Sequence, residues 1–172
     1  QHKKAVFWAT QSKETEDFYL HKEIGYNYRM SNVLAAIGIS QIDVLEERVK
    51  KKREIQQFYA SFLNEIDDFN VFAESSSAFK SNHWLSILEI DAEKSPISVI
   101  DLMKKLAEKN IESRRVWKPL HTQPVFAEFD FYGSDVAEKI FENGLCLPSG
   151  TAMSDADLNF IKSELLAAVK NA

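Results

Sequence analysis

The helical pattern between Ser31 and Ile66 constrains the fold of this chain more than any other feature of its sequence. No proline interrupts these 36 residues, and apolar residues recur at steps of three and four, the spacing of one face of an α-helix. A continuous helix of this length measures roughly 54 Å. The sequence therefore predicts one long helix, with Gly38 or the charged middle as places where it can break. The recurring residues are Val33, Ile37, Val44, Ile55, Phe58, Phe62 and Ile66.

Short strand and helix patterns alternate after this segment. Residues 1–25 show no clear period and are predicted to form a loop or an arm. A small sheet with helices packed against it follows from the alternation, in the α/β or α+β class. The predicted strands are Asn70–Phe72, His83–Ile90, Ile111–Trp117 and Leu145–Leu147. Three helices are predicted among these strands. The first starts at Ser95-Pro96 or at a Ser98/Asp101 capping box and stops at Asn110. The second runs from Ser134 to Asn143 with Gly144 as its stop, and the third starts at Ser154.

Composition limits the class of protein. The chain has 172 residues, 45% of them hydrophobic, a net charge of −5 and a single cysteine. These values are typical of a globular protein and argue against disorder, collagen and a disulfide scaffold. The longest stretch without a charged residue, Met30–Ile42, is too short to cross a bilayer, and the first residues do not resemble a secretory signal. We therefore expect that a membrane is not a partner of this chain. Because the chain is acidic, we also expect that nucleic acid is not its main partner.

Two loops carry residues suited to an anion. In the first, Gly25–Asn32, Asn27 and Arg29 stand just before a predicted helix, whose N-terminal N–H groups favour a phosphate or carboxylate. The alternative is an ordinary loop in which Ser31 only caps the helix.

The second loop, Glu112–His121, gathers three cations, a histidine and an indole at the end of a predicted strand. This composition suits a pyrophosphate, although Arg114 and Arg115 point to opposite faces of a strand. Ordinary surface charge is an equally good interpretation. His83, at the start of another strand, is by itself more typical of a structural histidine.

Other chemistry finds less support in the sequence. The histidines are scattered, so no metal site is predicted, and Cys146 lies in an apolar strand where packing is its expected role. Leu147–Thr151 lacks the frame of a nucleophile elbow and is interpreted as a turn. The basic run Lys50–Arg53 is interpreted as a solvated helix face, because neighbouring acids balance it.

Several motifs together resemble one family. Gly25–Ala36, followed by Gly38 and Gln41, is similar to the central signature of the nucleotide-sugar aminotransferases of the DegT/StrS group, which are pyridoxal-phosphate (PLP) enzymes of fold type I. The resemblance continues, in the order of the family, over nearly the whole chain. The further matching segments are Trp8–Gln11, Lys51–Arg53 with Tyr59, Trp117–Pro124 within residues 111–126, and Gly144–Thr151.

The resemblance implies a division of the chain. Members of the group are longer, and their large domain, with the lysine that forms the Schiff base with PLP, precedes the Gly25–Asn32 motif. We therefore expect a C-terminal portion that holds no catalytic lysine. Residues 1–30 would be an arm and loop from the large domain, residues 31–66 a long connecting helix, and residues 67–172 a small domain with a mainly antiparallel sheet.

The resemblance also implies roles for individual residues. Asn27 would reach the PLP phosphate of the neighbouring subunit in a homodimer with shared active sites, with Arg29 close by. His83, Arg114, Lys118 and His121 would line the side that receives the sugar nucleotide.

The chemistry implied is transfer of an amino group, with glutamate as donor, to a keto sugar nucleotide in the cytoplasm. The Trp117–His121 and Cys146–Gly150 forms look most like transaminases of UDP-linked 4-keto-6-deoxy-N-acetylhexosamines. A non-catalytic sugar-nucleotide-binding or helix-mediated interaction module of the same descent is the alternative. A dehydratase or regulator within the family also stays open.

Overall fold

The computed structural model describes residues 1–170. These residues form two compact units, one from Gln1 to Leu45 and one that begins at Glu46. The first unit contains α1 (His2–Ala9) and α2 (Asn32–Ile42). The prediction of an irregular arm over residues 1–25 is wrong for α1. This helix has neither a side-chain N-cap nor a buried residue, so the sequence carried neither of the usual helix signals.

The segment predicted as one long helix is two helices. After α2 the chain makes a turn at Asp43 and Val44, and α3 runs from Leu45 to Leu63. The break lies between Gly38 and the charged run, close to the places where the sequence allowed one. Ser31 caps α2, since its hydroxyl accepts a hydrogen bond from the N–H of Leu34 at 3.3 Å.

The second unit is built on a four-stranded sheet. Its strands are β1 (Phe69–Val71), β2 (Ser86–Ile90), β3 (Arg114–Arg115) and β4 (Gly144–Leu147), in the order β1-β2-β4-β3. Every strand pair is antiparallel, which confirms the predicted small, mainly antiparallel sheet with packed helices.

Two of the strands are shorter than predicted. β2 begins only at Ser86, and His83, with a φ of 44°, has a left-handed backbone that a strand cannot contain. β3 pairs on one side only, with β4, and is limited to two residues. Both differences arise where local alternation in the sequence continues beyond the hydrogen-bonded ladder.

Side chains cap the N-termini of two helices of the second unit, at Ser98 and Ser154, as the sequence predicts. α4 (Val99–Ala107) starts at the Ser98/Asp101 capping box and not at Ser95-Pro96, because the Ser98 hydroxyl accepts from the Asp101 N–H at 3.1 Å. Asn110 then adopts the predicted left-handed conformation, with a φ of 58°. α5 (Val136–Asn143) and α6 (Asp155–Lys170) complete the unit, and two short 3-10 turns lie at Leu120–Thr122 and Pro124–Phe126.

Gly144 joins α5 directly to β4. Its backbone is extended rather than left-handed, so the reason for glycine is space. A Cβ at this position would lie 2.4 Å from the carbonyl oxygen of Ile140 and 2.7 Å from a methyl carbon of Val116. A side chain here would therefore force the helix and the strand apart.

One hydrophobic core holds the second unit together. It lies between the sheet and helices α3, α4 and α6, and its central side chains are fully buried. Among the fully buried residues are Ile55, Tyr59, Leu63, Leu88, Leu102, Leu106, Leu145 and Leu165. Among residues 1–170, no helix combines the length and the apolar character that a membrane span requires.

Candidate functional site

The first candidate, the loop Gly25–Asn32, is held by backbone hydrogen bonds within the first unit. The N–H groups of Tyr26 and Tyr28 donate to the carbonyls of Trp8 and Ala9, at 2.7 and 3.0 Å. The Tyr26 and Tyr28 rings stack with their centroids 5.2 Å apart. The loop is therefore fixed against the end of α1.

Gly25 allows this close attachment. A Cβ at Gly25 would lie only 2.1 Å from the carbonyl carbon of Gln11 and 2.2 Å from the nitrogen of Ser12. The Ser12 side chain is fully buried and its hydroxyl donates to the carbonyl of Ile24 at 3.0 Å. Only glycine fits where the two chain segments cross.

Asn27 and Arg29 are exposed on this fixed loop. They stand immediately before Ser31 and the N-terminus of α2, where unpaired N–H groups and the helix dipole favour an anion. An amide and a guanidinium on a rigid backbone supply neutral and cationic donors for a phosphate. Ser31 caps the helix as well, so the two interpretations of this loop are compatible.

The second candidate is a cleft of about 820 Å³ in the second unit, between the β3–β4 edge of the sheet and the start of α6. Trp84 and Trp117 form its aromatic wall, with their rings stacked at 5.5 Å between centroids and 14° between planes. Each indole is still 60% exposed. A flat or apolar group can therefore contact this wall.

The cleft also carries polar and cationic groups from β3. Arg114 is exposed and bound to the Glu112 carboxylate, with its Nε 2.9 Å away. Arg115 donates instead to the carbonyl of Phe141 at 2.8 Å and lies over that ring. The Ser113 hydroxyl and the Arg115 Nε are buried without a hydrogen-bond partner among the described residues. These two polar atoms belong to residues that line the cleft, but the atoms themselves are shielded from solvent.

The other residues predicted to face the sugar nucleotide are not among those lining this cleft. Lys118 is exposed just beyond the Trp84–Trp117 pair in sequence. The His121 ring stacks on Phe131 at 3.6 Å, and its Nε2 lies 3.0 Å from the Glu138 carboxylate. Of the four residues predicted to face the sugar nucleotide, Arg114 lines the cleft and the other three do not. The roles of all four stay predictions.

His83 is buried against a carboxylate. Its side chain is 8% exposed, and its Nε2 lies 3.2 Å from Glu74. Glu74 also accepts from Arg53 at 2.6 Å and from the Ser81 N–H at 3.1 Å. This is the structural histidine that the sequence offered as the alternative, and its predicted contact with substrate stays untested.

Lys52 and Arg53 correct the interpretation of the basic run as a solvated face. The Lys52 ammonium donates to the carbonyls of Trp84, at 2.7 Å, and Ser149, and burial lowers the pKa of this lysine. Arg53 donates to Glu74 and to the carbonyl of Ser81. Sequence reasoning missed these contacts because their partners lie 21 to 97 residues away along the chain.

Ser149 and Cys146 have structural positions, as predicted. The buried Ser149 hydroxyl accepts from the Ser86 N–H and donates to the carbonyl of Leu147, both at 2.9 Å. Cys146 is buried in β4, and burial raises the pKa of its thiol. Residues 1–170 contain no group of three or more histidine, cysteine or acidic side chains that could hold a metal ion.

The architecture is similar to that of a solved aminotransferase. The aminotransferase TlmJ from Streptoalloteichus hindustanus superimposes with a TM-score of 0.82 at 23% identity, over 98% of this chain and 44% of that one. At this identity the likeness shows the fold alone.

Sequence comparison defines the family. The profile of the DegT/DnrJ/EryC1/StrS aminotransferase family matches residues 2–165, and the chain therefore belongs to this family. EpsN of Bacillus subtilis (strain 168), named as a proposed pyridoxal phosphate-dependent aminotransferase, is 43% identical over 167 residues, 95% of this chain and 42% of EpsN.

Two further relatives are a synthase and a transaminase by name. The GDP-perosamine synthase of Escherichia coli O157:H7 is 36% identical, over 83% of this chain and 37% of that protein. The UDP-4-amino-4,6-dideoxy-N-acetyl-beta-L-altrosamine transaminase of Campylobacter jejuni subsp. jejuni serotype O:23/36 (strain 81-176) is 29% identical, over 84% and 38%. The chain thus spans less than half the length of these relatives.

The contacts of the Glu74 carboxylate predict a pH dependence of stability. Hydrogen bonds from Arg53 and then His83 lower the pKa of Glu74 from 4.5 to about 2. A carboxyl group with a lowered folded-state pKa stabilises the fold above its unfolded value and loses that contribution as pH falls through the folded one. We expect the wild type to be more stable than Glu74→Gln above pH 4.5, and this difference in unfolding free energy to shrink as pH falls towards 2.

Urea unfolding at a series of pH values measures this difference. Glu54→Gln, which removes an exposed ion pair with Lys50 on the same helix as Arg53, is the matched control and should change stability by about 1 kcal/mol or less. A Glu74→Gln difference that stays constant down to pH 2 would contradict the assignment.

Proposed function

We propose that this chain is the C-terminal portion of a longer PLP-dependent aminotransferase that transfers an amino group, from glutamate, to a keto sugar nucleotide. The observation that supports it most is the rigid Asn27/Arg29 loop at the start of α2, in a chain that belongs to an aminotransferase family. The names of the relatives, which include a GDP-linked and a UDP-linked amino sugar, support the substrate class.

The residues of the loop fit the phosphate of PLP. When bound, PLP supplies the electron sink for amino transfer, and the protein supplies position and charge. We assign to Asn27 a hydrogen bond from its amide to that phosphate in the neighbouring subunit of a homodimer, and to Arg29 a compensating charge nearby. Both side chains are exposed on a backbone that is already fixed, so binding would order little more than the side chains themselves.

The second unit would receive the sugar nucleotide. Arg114 and Lys118 carry positive charge suited to a pyrophosphate, and His121 follows Lys118 in the same segment. The indole wall suits a ring of the ligand that stacks on it. His83, which is buried beside Glu74, would belong to this sugar-nucleotide side as well. By its motifs, the proposed acceptor is a UDP-linked 4-keto-6-deoxy-N-acetylhexosamine, in biosynthesis of surface glycans in the cytoplasm.

The exposed apolar surface of helix α2 supports the proposal that this chain is part of a larger assembly. It is strongly apolar, and none of its residues is buried among residues 1–170. Val33, Ile39 and Ile42 are each about two thirds exposed or more. Such a surface is costly in water, and the remaining part of the longer polypeptide or a second subunit would cover it. The chain alone is then expected to be inactive.

Amino transfer by the complete gene product tests the proposal. We expect PLP, glutamate and a UDP-linked 4-keto sugar to yield 2-oxoglutarate and the 4-amino sugar, and this 172-residue chain alone to yield neither. The GDP-linked keto sugar serves as the competing substrate. A folded complete protein that binds the sugar nucleotide but transfers no amino group would favour the alternative, a non-catalytic binding module.

Lys118→Ala in the complete protein tests the sugar-nucleotide side. Loss of one charged contact to a pyrophosphate corresponds to about tenfold or more in affinity. We therefore expect the KM for the sugar nucleotide to rise by that factor while the KM for glutamate is unchanged. Lys104→Ala, which removes an exposed lysine paired with Asp101 on α4, is the control, and an equal rise in this variant would contradict the assignment.

A further inference from the structure

The indole wall of the cleft is supported by polar groups that do not line the cleft. Trp84 follows the buried His83, and its carbonyl accepts a hydrogen bond from Lys52 at 2.7 Å. Ser81, three residues earlier, is held through both peptide units that flank its Cα, since its N–H donates to Glu74 and its carbonyl accepts from Arg53. The backbone that presents Trp84 is therefore fixed from helix α3.

The three ionisable groups meet at one point. The Glu74 carboxylate lies 2.6 Å from the Arg53 guanidinium through one oxygen and 3.2 Å from His83 Nε2 through the other. The exposed fractions of the Glu74 and His83 side chains are 20% and 8%. Hydrogen bonds to a charged acceptor in such a half-buried setting are strong. We name Arg53, Glu74 and His83 the Glu74 cluster.

The backbone of His83 needs this support. Its φ of 44° lies in the left-handed region, which costs free energy for a residue with a Cβ and persists only where surrounding contacts enforce it. Burial of the His83 ring against Glu74 is one such contact. Release of the ring would let residue 83 return to an extended backbone and turn Trp84 away from Trp117.

We propose that the Glu74 cluster, with Lys52, positions Trp84 against Trp117 and thereby shapes the wall that receives the sugar nucleotide. These are positioning residues, and they act through Trp84. The ligand named here rests on the proposed function, whereas the geometry of the wall rests only on contacts within this chain. The two can therefore fail separately.

Circular dichroism of the indole pair reports the position of Trp84 directly. Stacked indoles couple and give a paired signal that either partner's removal abolishes, so Trp84→Phe and Trp117→Phe define its size. Trp8→Phe, in the first unit, should leave it intact. We expect Glu74→Gln to lose most of this signal at a temperature at which helix content is still that of the wild type. Glu54→Gln, with the same change of charge on α3, should retain it.

A second variant removes the ring contact without adding backbone strain. Asparagine tolerates the left-handed conformation, so His83→Asn takes the ring away from Glu74 and leaves residue 83 free to keep or to leave that conformation. We expect it to lose part of the indole signal while still folding. Wild-type signals in both Glu74→Gln and His83→Asn would overturn the proposal.

The complete protein connects the wall to its ligand. We expect Glu74→Gln to raise the KM for the sugar nucleotide and to leave the KM for glutamate unchanged. If the indole signal falls while the KM for the sugar nucleotide stays at the wild-type value, the positioning is supported and the ligand assigned to this wall is wrong.

Discussion

Helix α3 is the element on which the arrangement of the second unit depends. One face places Ile55, Tyr59 and Leu63 in the core with no exposed surface, and the Tyr59 hydroxyl donates to the carbonyl of Pro148 at 2.8 Å. Burial raises the pKa of Tyr59 well above its ordinary value, so this donor keeps its proton at physiological pH. Lys52 and Arg53, which precede these residues on the same helix, make polar contacts instead.

Those polar contacts connect the core to the cleft. Lys52 and Arg53 are adjacent in sequence and diverge around the helix, so that one binds the carbonyls of Trp84 and Ser149 and the other binds Glu74. Each links a loop to a helix whose apolar face cannot move without disturbing the core. A change in the packing of α3 would therefore also change the geometry of the cleft.

Local signals made much of the fold predictable. The Ser98/Asp101 box, the left-handed Asn110 and the apolar β4 strand each depend on a few neighbouring residues, and the structure has all three. The turn at Asp43 and Val44 has no glycine or proline to mark it, and the long-helix prediction failed there. The pairing of Glu74 with Arg53 and His83 could not be predicted, because it exists only once the chain has folded.

The two candidate sites differ in the same way, because one is made of neighbouring residues and the other of residues far apart in sequence. The Asn27/Arg29 loop was recognisable because its residues adjoin in sequence and precede a helix. The cleft was only partly recognisable, since Arg114 and Trp117 belong to one basic segment whereas Trp84 comes from the segment before β2. The chain belongs to the DegT/DnrJ/EryC1/StrS aminotransferase family and spans less than half the length of EpsN.

Cofactor binding by the complete gene product tests the central claim most directly. PLP would be titrated into the complete wild-type protein and Asn27→Ala, with visible absorbance recorded before and after borohydride and Asn159→Ala as an exposed amide control. The account predicts a borohydride-sensitive band in the wild type and in Asn159→Ala, with PLP affinity weaker by about tenfold or more in Asn27→Ala. A folded complete protein without such a band, or with equal PLP affinity in all three proteins, would contradict it.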